Sequence, residues 1–549
     1  MSRYFKATIW VVTATFTAFT LFSFNNNDRF FEIAKSMETF ASLFKEVNKY
    51  YVDDVEPTEL ANEAITNMLA SLDPYTNYIP EDRIEDYRTM TTGEYGGIGA
   101  DVEEINGKII VTMPLEGYAA AKAGIRIGDE VVSINGLPVA NRPLSNIRNL
   151  LKGQANSKVK LTLKRWGDEE TFDLEITHEK VRENNVPYYG MVTEDIGIIK
   201  LTDFTQKAGL EVKNALVDLK AEGAEKIILD LRGNPGGLLN EAVNITNVFL
   251  PRGYEIVSMR GKSAEWSKNY RALNEPVDID IPIAILVDGN SASASEIVSG
   301  VLQDYDRGVV IGERSFGKGL VQTTTMLSYN SQLKVTVAKY YIPSGRCIQE
   351  IDYSHKNDPI TDELKQRKRF LTQNGREVFD GAGIDPELIT DRVNYAPITK
   401  SLINKKLIFE YANLYRNSRD SIAPAKSFTL SDQEYDAFVN WLNDKEYGYN
   451  TAVEKTLTEL IASSKKEKRY NDIKSEIEEL EDQILNNKKT DLFTFKDEIK
   501  EVLEFEIAIR YYLQSGEIEA TFDDNPDILT AIEILNNPTM YNELLQSPQ

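Results

Sequence analysis

The sequence predicts a multidomain α+β protein with a helical amino-terminal region, a small β-rich domain, an α/β core and a helical carboxyl-terminal domain. Three observations predict it. The chain has 549 residues, too many for one hydrophobic core. Residues 95–180 show short strands punctuated by glycine turns. From 181 to 395, runs that suit buried strands alternate with helical periods, which favours a mainly parallel sheet flanked by helices.

Apolar residues make up 42% and charged residues 27%, ordinary proportions for a globular protein. The net charge of -24 favours solubility and argues against a nucleic-acid partner, which selects basic patches. Cys347 is the single cysteine, so no internal disulfide forms, and with His178 and His355 as the only histidines a Cys/His zinc site is disfavoured.

Arg3 and Lys6 precede an uncharged stretch from Ala7 to Phe24, and Asn25, Asn26 and Asn27 follow. A positive start and an apolar middle read as an export address over residues 1–27. No small-x-small cleavage site follows, so cleaved signal and uncleaved anchor both stand, with a buried helix as the bland alternative. Residues 28–94 read as helical. Ile33, Met37, Phe40, Phe44 and Val47 recur at three- and four-residue spacing, and a second helix is expected from Pro57 to Leu72. Such helices suit packing on the body or pairing in a homodimer.

Within 95–180, Gly96-Gly97-Ile98-Gly99-Ala100-Asp101-Val102 opens the region, and Asn106-Gly107 signals a hairpin before Lys108–Thr112. Gly128 to Gly136 frames another strand, Ser145–Leu151 suits a helix, and Val159–Leu163 alternates as a half-buried strand. This combination resembles a PDZ domain of the kind attached to bacterial proteases. The resemblance implies that an extended peptide adds as a strand. Backbone N–H groups around Gly97, Ile98, Gly99 and Ala100 would hold its terminal carboxylate, and Ile98 and Val102 would border a pocket for its last side chain. The plainer reading gives these glycines only a tight turn. Residues 396–549 read as a packed helical appendage, with Ile473, Ile477, Leu480 and Ile484 forming a stripe.

Two stretches carry chemistry. Asp288-Gly289-Asn290-Ser291-Ala292-Ser293-Ala294-Ser295-Glu296 lies between a buried strand and a helix start. That junction presents a side chain at a sheet end beside free N–H groups, which suits a nucleophile and its oxyanion. Ser293 with Glu296 is also capping-box spacing, which by itself means only a helix start. Gly312-Glu313-Arg314-Ser315-Phe316-Gly317-Lys318-Gly319-Leu320-Val321-Gln322 places Lys318 between two glycines. A lysine serving as base must lose its proton near neutral pH, and an apolar pocket supplies that bias; Phe316 and Leu320 are the candidates. The Gln322 amide oxygen could orient the amine. The alternative is a solvated lysine in a glycine loop. A Ser–His–Asp scheme is disfavoured, because neither histidine lies in a context suited to a buried base.

Taken together these motifs resemble the carboxyl-terminal processing peptidases, or tail-specific proteases. In that family the central serine of Ser-Ala-Ser-Ala-Ser-Glu is the nucleophile, here Ser293. The lysine within Gly-Lys-Gly is its base, here Lys318, and a glutamine four residues on matches Gln322. The Leu-Arg-x-Asn-x-Gly-Gly element matches Leu231 to Gly237. It implies an oxyanion hole from the N–H of Gly237, with Gly236 as the second choice, and of Ala294. The implied core resembles the crotonase and ClpP folds. The implied reaction is acyl transfer to Ser293 and hydrolysis, a scheme that needs no metal or cofactor. Implied partners are protein or peptide substrates with free carboxyl-terminal tails, together with an adaptor protein. The implied location is the bacterial cell envelope, periplasmic or held at the inner membrane by residues 7–24. Arg126 is a regulatory candidate if it couples the PDZ domain to the core. Two rivals are a catalytically silent PDZ scaffold for envelope proteins and acyl-thioester chemistry. Keeping Ser293, Lys318 and Gln322 together argues against the first, and the PDZ domain and export address against the second.

Overall fold

The computed structural model describes residues 29–351, 353 and 367–547, and the export segment 1–27 lies outside them. The chain divides into two units, residues 1–78 and 79–549. The first contains helices over 29–50 and Pro57–Ala70. Pro57 occupies the first turn of its helix, where a missing N–H leaves no bond unmade. Beyond it, the Asp73 carboxylate accepts from the N–H groups of Tyr75 and Thr76, both at 2.8 Å, and stops the chain from continuing as helix.

In the second unit, strands Ala100–Ile105, Lys108–Pro114, Glu130–Ile134, Lys158–Lys164 and Thr171–Thr177 form an antiparallel sheet in that spatial order. Asn106 and Gly107 turn the first hairpin with φ of 53° and 76°, the left-handed values that such a two-residue turn requires. Alternate residues, among them Val102, Val111, Ile134, Leu161 and Leu163, face one core with Ile147 from the helix Leu144–Leu151. Ala100–Ile105 is the edge strand of this sheet.

The α/β core is built on strands in the order Tyr188–Met191, Ile196–Lys200, Lys226–Asp230, Ile283–Val287, Val309–Gly312 and Leu388–Ile389. The first pair is antiparallel and every later pair is parallel. These strands are apolar without alternation because both faces are covered. Helices Ala208–Glu222, Leu239–Phe249 and Ala294–Asp304 cover one face. The cover of the other face comes from far along the chain. Ile528, Ala531, Ile534, Leu535 and Tyr541, on helices Pro526–Leu535 and Pro538–Leu544, pack with Ile198, Ile228, Leu286 and Ile311. The sequence reading ended the core at 395, but the carboxyl-terminal region does two jobs. Its earlier helices gather around Phe438, Ile499 and Leu503, whereas residues 526–544 cover the second face of the six-stranded sheet. Helical periodicity marks an apolar face and does not say what that face covers.

A second, antiparallel sheet joins Leu320–Met326 to Gln332–Tyr341, then to Glu255–Gly261 and Lys268–Arg271. The register of its first pair slips at Val321/Gln322. Among the described residues, no helix is long and apolar enough to cross a membrane.

Candidate active site

The strand Ile283–Val287 ends at Asp288, and a turn carries the chain into the helix Ala294–Asp304. Asp288 Oδ1 accepts from the N–H of Asn290, Ser291 and Gly233, each at 3.0 Å, so one carboxylate ties this turn to the neighbouring loop 231–237. The two segments are latched twice more. Ser291 Oγ donates to the Leu231 carbonyl at 2.9 Å, and the Ala292 N–H to the Asn234 carbonyl at 3.0 Å. Ser293 then takes φ 55° and ψ -107°, a conformation that costs a residue with a Cβ about 1–3 kcal/mol. Strain of this kind persists only where the surroundings overdetermine it, and it lifts Ser293 out of the helix into a cleft of about 450 Å³.

That cleft is lined by Ser293, Ala294, Gly236, Gly237, Lys318, Leu320 and Gln322 together with Phe204 and Tyr340. The structure therefore brings into one place every residue expected of the nucleophile, base, orienting amide and oxyanion hole. The two glycines differ. Gly236 is buried, and its N–H donates to Asn234 Oδ1 at 2.9 Å. A Cβ on it would lie 2.6 Å from the Ala292 carbonyl and 2.9 Å from Ser293 Cβ, so the loop can approach the nucleophile only because the residue is glycine. Gly237 is exposed to the cleft, and its N–H has no acceptor among the described residues; the same holds for the N–H of Ala294 at the helix start.

Glu296 links Ser293 to Lys318. Its carboxylate is fully buried, and Oε2 accepts from the N–H of Ser293 at 2.8 Å and of Lys318 at 2.9 Å. Oε1 accepts from the N–H of Gly317 at 2.7 Å and from Ser315 Oγ at 2.6 Å. The capping-box contact read from the sequence is present, and the same group also clamps the lysine loop. Burial pushes the Glu296 carboxyl up from 4.5 to about 7, opposed by those hydrogen bonds. The Tyr340 hydroxyl lies 2.5 Å from the Lys318 carbonyl and 3.1 Å from that of Ser293, a second tie between the same two segments. Gly317 has φ 88°, and a Cβ on Gly319 would lie 2.8 Å from the Gln349 N–H, so both glycines beside Lys318 are required by geometry. Gln322 Nε2 donates to Thr336 Oγ1 at 3.2 Å across the slipped register, which orients the amide. One expectation fails. Phe316 is 48% exposed and is no part of an apolar pocket, whereas Leu320 is 6% exposed and lines the cleft.

Behind the oxyanion loop, Arg232 pairs with Asp230 and, at 2.7 Å, with Asp527 at the start of the helix Pro526–Leu535. Burial opposes ionisation of Asp230, yet the charges of Arg232 and Lys200 hold its carboxyl well below the usual range. His178 stays outside this centre, with Nδ1 2.8 Å from Ser157 Oγ in the small β domain; His355 lies outside the described residues.

The peptide-site candidates lie elsewhere. Gly97 is at the end of the strand Glu94–Gly97, and Gly99, with φ 72°, has no room for a Cβ because Tyr118 Cβ would be 2.5 Å away. Ala100 begins the free-edged strand, as strand addition requires. Ile98 and Val102 are 3% and 2% exposed and pack in the domain core, so they form the floor beneath the strand rather than an open pocket. The charges nearest in effect to Arg126 are Arg165 and Asp129 of its own domain and Arg416 and Asp420 of the helical domain.

A nucleophile turn and a lysine loop clamped together at the end of a parallel sheet, behind a small β domain, define a serine peptidase of the Ser–Lys kind. Comparison with known proteins agrees: residues 195–355 match peptidase family S41, 110–165 a PDZ domain, and 398–535 the carboxyl-terminal helical domain of probable PDZ-proteases. A carboxy-terminal-processing protease of Bartonella bacilliformis is 38% identical over 321 residues, 58% of this chain and 73% of the relative. A probable CtpA-like serine protease of Staphylococcus aureus is 34% identical over 409 residues, 74% of this chain and 80% of the relative. Among solved structures, the photosystem II D1 C-terminal processing protease is 27% identical, covering 64% of this chain and 92% of its own, with a TM-score of 0.36. The chain belongs to peptidase family S41 and is a serine peptidase with a PDZ domain ahead of its catalytic core.

Proposed function

We propose that this chain is an endopeptidase that processes proteins presented by their carboxyl-terminal tails. Ser293 Oγ attacks the scissile carbonyl while its proton passes to Lys318 Nζ, held in line by the Gln322 amide oxygen. The N–H groups of Gly237 and Ala294 stabilise the tetrahedral oxyanion. Lys318 then delivers the proton to the leaving amine, and water, deprotonated by the same lysine, hydrolyses the ester on Ser293. The observation that carries this reading is the pair of N–H groups left without acceptors beside a strained Ser293. A helix start leaves the Ala294 N–H free in any case, but it needs neither the Gly237 N–H beside it nor the strain at Ser293.

On this reading the PDZ domain takes the substrate's terminal carboxylate at the backbone of Gly97–Ala100, with the tail as an added strand along Ala100–Ile105. Residues 7–24 deliver the enzyme to the cell envelope, periplasmic or at the inner membrane. The exposed Phe30, Phe31, Met37 and Leu43 favour self-pairing of the first helix, and an adaptor protein is a further partner. Arg126, beside Arg416 and Asp420, would act through the docking of the PDZ domain on the helical domain.

The test is cleavage of casein by residues 28–549, wild type beside Ser293→Ala and Lys318→Ala, followed by a peptide with its terminal carboxylate amidated. Loss of cleavage in both variants, with circular dichroism unchanged, is expected, as is a lower rate on the amide. Full activity of either variant refutes the dyad; equal rates on acid and amide refute tail recognition.

A further inference from the structure

The cleft holds a second lysine for which the Ser–Lys chemistry has no use. Lys334 lies on the strand Gln332–Tyr341 and lines the same cavity as Ser293 and Lys318. Past the register slip, Gln322 stands opposite Thr336 and Thr324 opposite Lys334. Directly opposed residues share a face of the sheet, so Gln322, Thr336, Thr324 and Lys334 all project from one side, with Lys334 diagonal to Gln322 at about 7–8 Å. Thr324 Oγ1 meets the Tyr87 hydroxyl at 2.6 Å, which brings the helix Ile84–Thr92 against this corner and closes it. Lys334 thus occupies a walled end of the cleft, two residues along the same strand pair from Gln322.

Its ammonium is uncompensated. Among the described residues the Lys334 side chain makes no hydrogen bond and no ion pair, and burial alone presses its pKa downward with no charged neighbour contributing. This stands out in a chain of net charge -24. A half-buried cation loses part of its hydration, and that loss is recovered only when an anion arrives. An ordinary surface lysine reaches into water instead. On the reading above the PDZ domain holds the terminal carboxylate, and the rest of a bound main chain carries no charge, so the anion that Lys334 meets in the cleft is a side-chain carboxylate.

We propose that Lys334 is a specificity-determining residue that selects an Asp or Glu side chain near the scissile bond. This rests on the peptidase reading above and adds a substrate class to it: tails whose cleavage region carries an acidic residue at one fixed position.

The experiment uses the same soluble chain and a peptide series in which Glu, Gln or Lys is placed in turn at each position from four before to four after the cleaved bond. For the wild type, one position is expected to favour Glu over Lys about five- to tenfold in kcat/KM, the scale of one partly buried ion pair. Lys334→Met is expected to bring that ratio near one, and Lys334→Glu to invert it toward Lys. Because the readout is a ratio within each variant, a general loss of activity does not mimic it, and the Met variant serves if the Glu variant fails to fold. A ratio unchanged in Lys334→Met, or no charge preference at any position, overturns this proposal while leaving the peptidase intact. Absence of cleavage of every peptide and of casein by the wild type overturns the peptidase reading, and this proposal with it.

Discussion

Replacing Glu296 by Gln separates folding from catalysis in a way that the clamp makes quantitative. The fully buried carboxylate accepts from Ser293, Lys318 and Gly317 N–H and from Ser315 Oγ. In Glu296→Gln the remaining oxygen can keep Ser293 and Lys318, but as neutral bonds, each weaker by about 1 kcal/mol. The new NH₂ can donate to Ser315 Oγ, yet it confronts the Gly317 N–H and leaves that donor unsatisfied, which costs about 1–3 kcal/mol. Against this stands the pH term of the wild type. The folded carboxyl titrates near 7 and the unfolded one near 4.5. With the folded value the higher, its contribution to stability is complete below pH 4.5 and is lost as the pH rises through 7. At about 1.4 kcal/mol per pH unit, the loss is about 3 kcal/mol. Wild type therefore exceeds Glu296→Gln by about 1–3 kcal/mol at acid pH, and the gap closes or reverses by pH 8. At pH 8, where the wild-type carboxyl is ionised, kcat of the variant is expected to be about ten- to thirtyfold down, because both segments lose charge-assisted anchoring. Urea unfolding at pH 5 and pH 8, with kcat and KM measured at pH 8, reads both quantities. A stability gap that ignores pH, or a kcat within about twofold of wild type, refutes the clamp.

Three further outcomes follow from the geometry. Gly236→Ala drives a methyl into the Ala292 carbonyl and Ser293 Cβ, and we expect kcat to fall about 100-fold with a smaller effect on KM, measured by steady-state cleavage. Ile534→Ala opens a cavity over the catalytic sheet and should lower stability by about 2–5 kcal/mol, with residual activity and helical signal lost together on heating; activity that outlives the melting would show the cover to be dispensable. Asp527→Ala releases Arg232 behind the oxyanion loop and should reduce kcat by about three- to tenfold with KM little changed, since one charge-assisted bond is removed.

Local signals carried much of this to the reader of the sequence. The Asn106-Gly107 turn, the unbroken apolar runs of the parallel strands and the glycines around Lys318 each have a mechanism acting within a few residues. What stayed hidden depends on contacts between distant segments. Glu296 reads as a helix cap because the Ser-x-x-Glu spacing accounts for its bond to Ser293, and nothing local announces Gly317 and Lys318. Phe316 looked like pocket lining, yet the chain passes it outward. Ile98 and Val102 were rightly apolar, but a two-residue period cannot distinguish floor from wall. Lys334 lay among alternating residues like any strand lysine, and only the opposite strand and the helix Ile84–Thr92 set it in the cleft.

The helices at 526–544 also impose an order in time. The strands they cover are complete by residue 312, except for the short edge Leu388–Ile389. A nascent or exported chain must therefore carry one bare apolar sheet face across more than two hundred further residues before its cover arrives. During that interval the half-built enzyme is itself a sticky, unfolded client of chaperones and of its own kind. Asp527 pairs with Arg232, so the loop 231–237 gains this brace only after the chain has been made through residue 527, more than two hundred residues beyond the strands beside it.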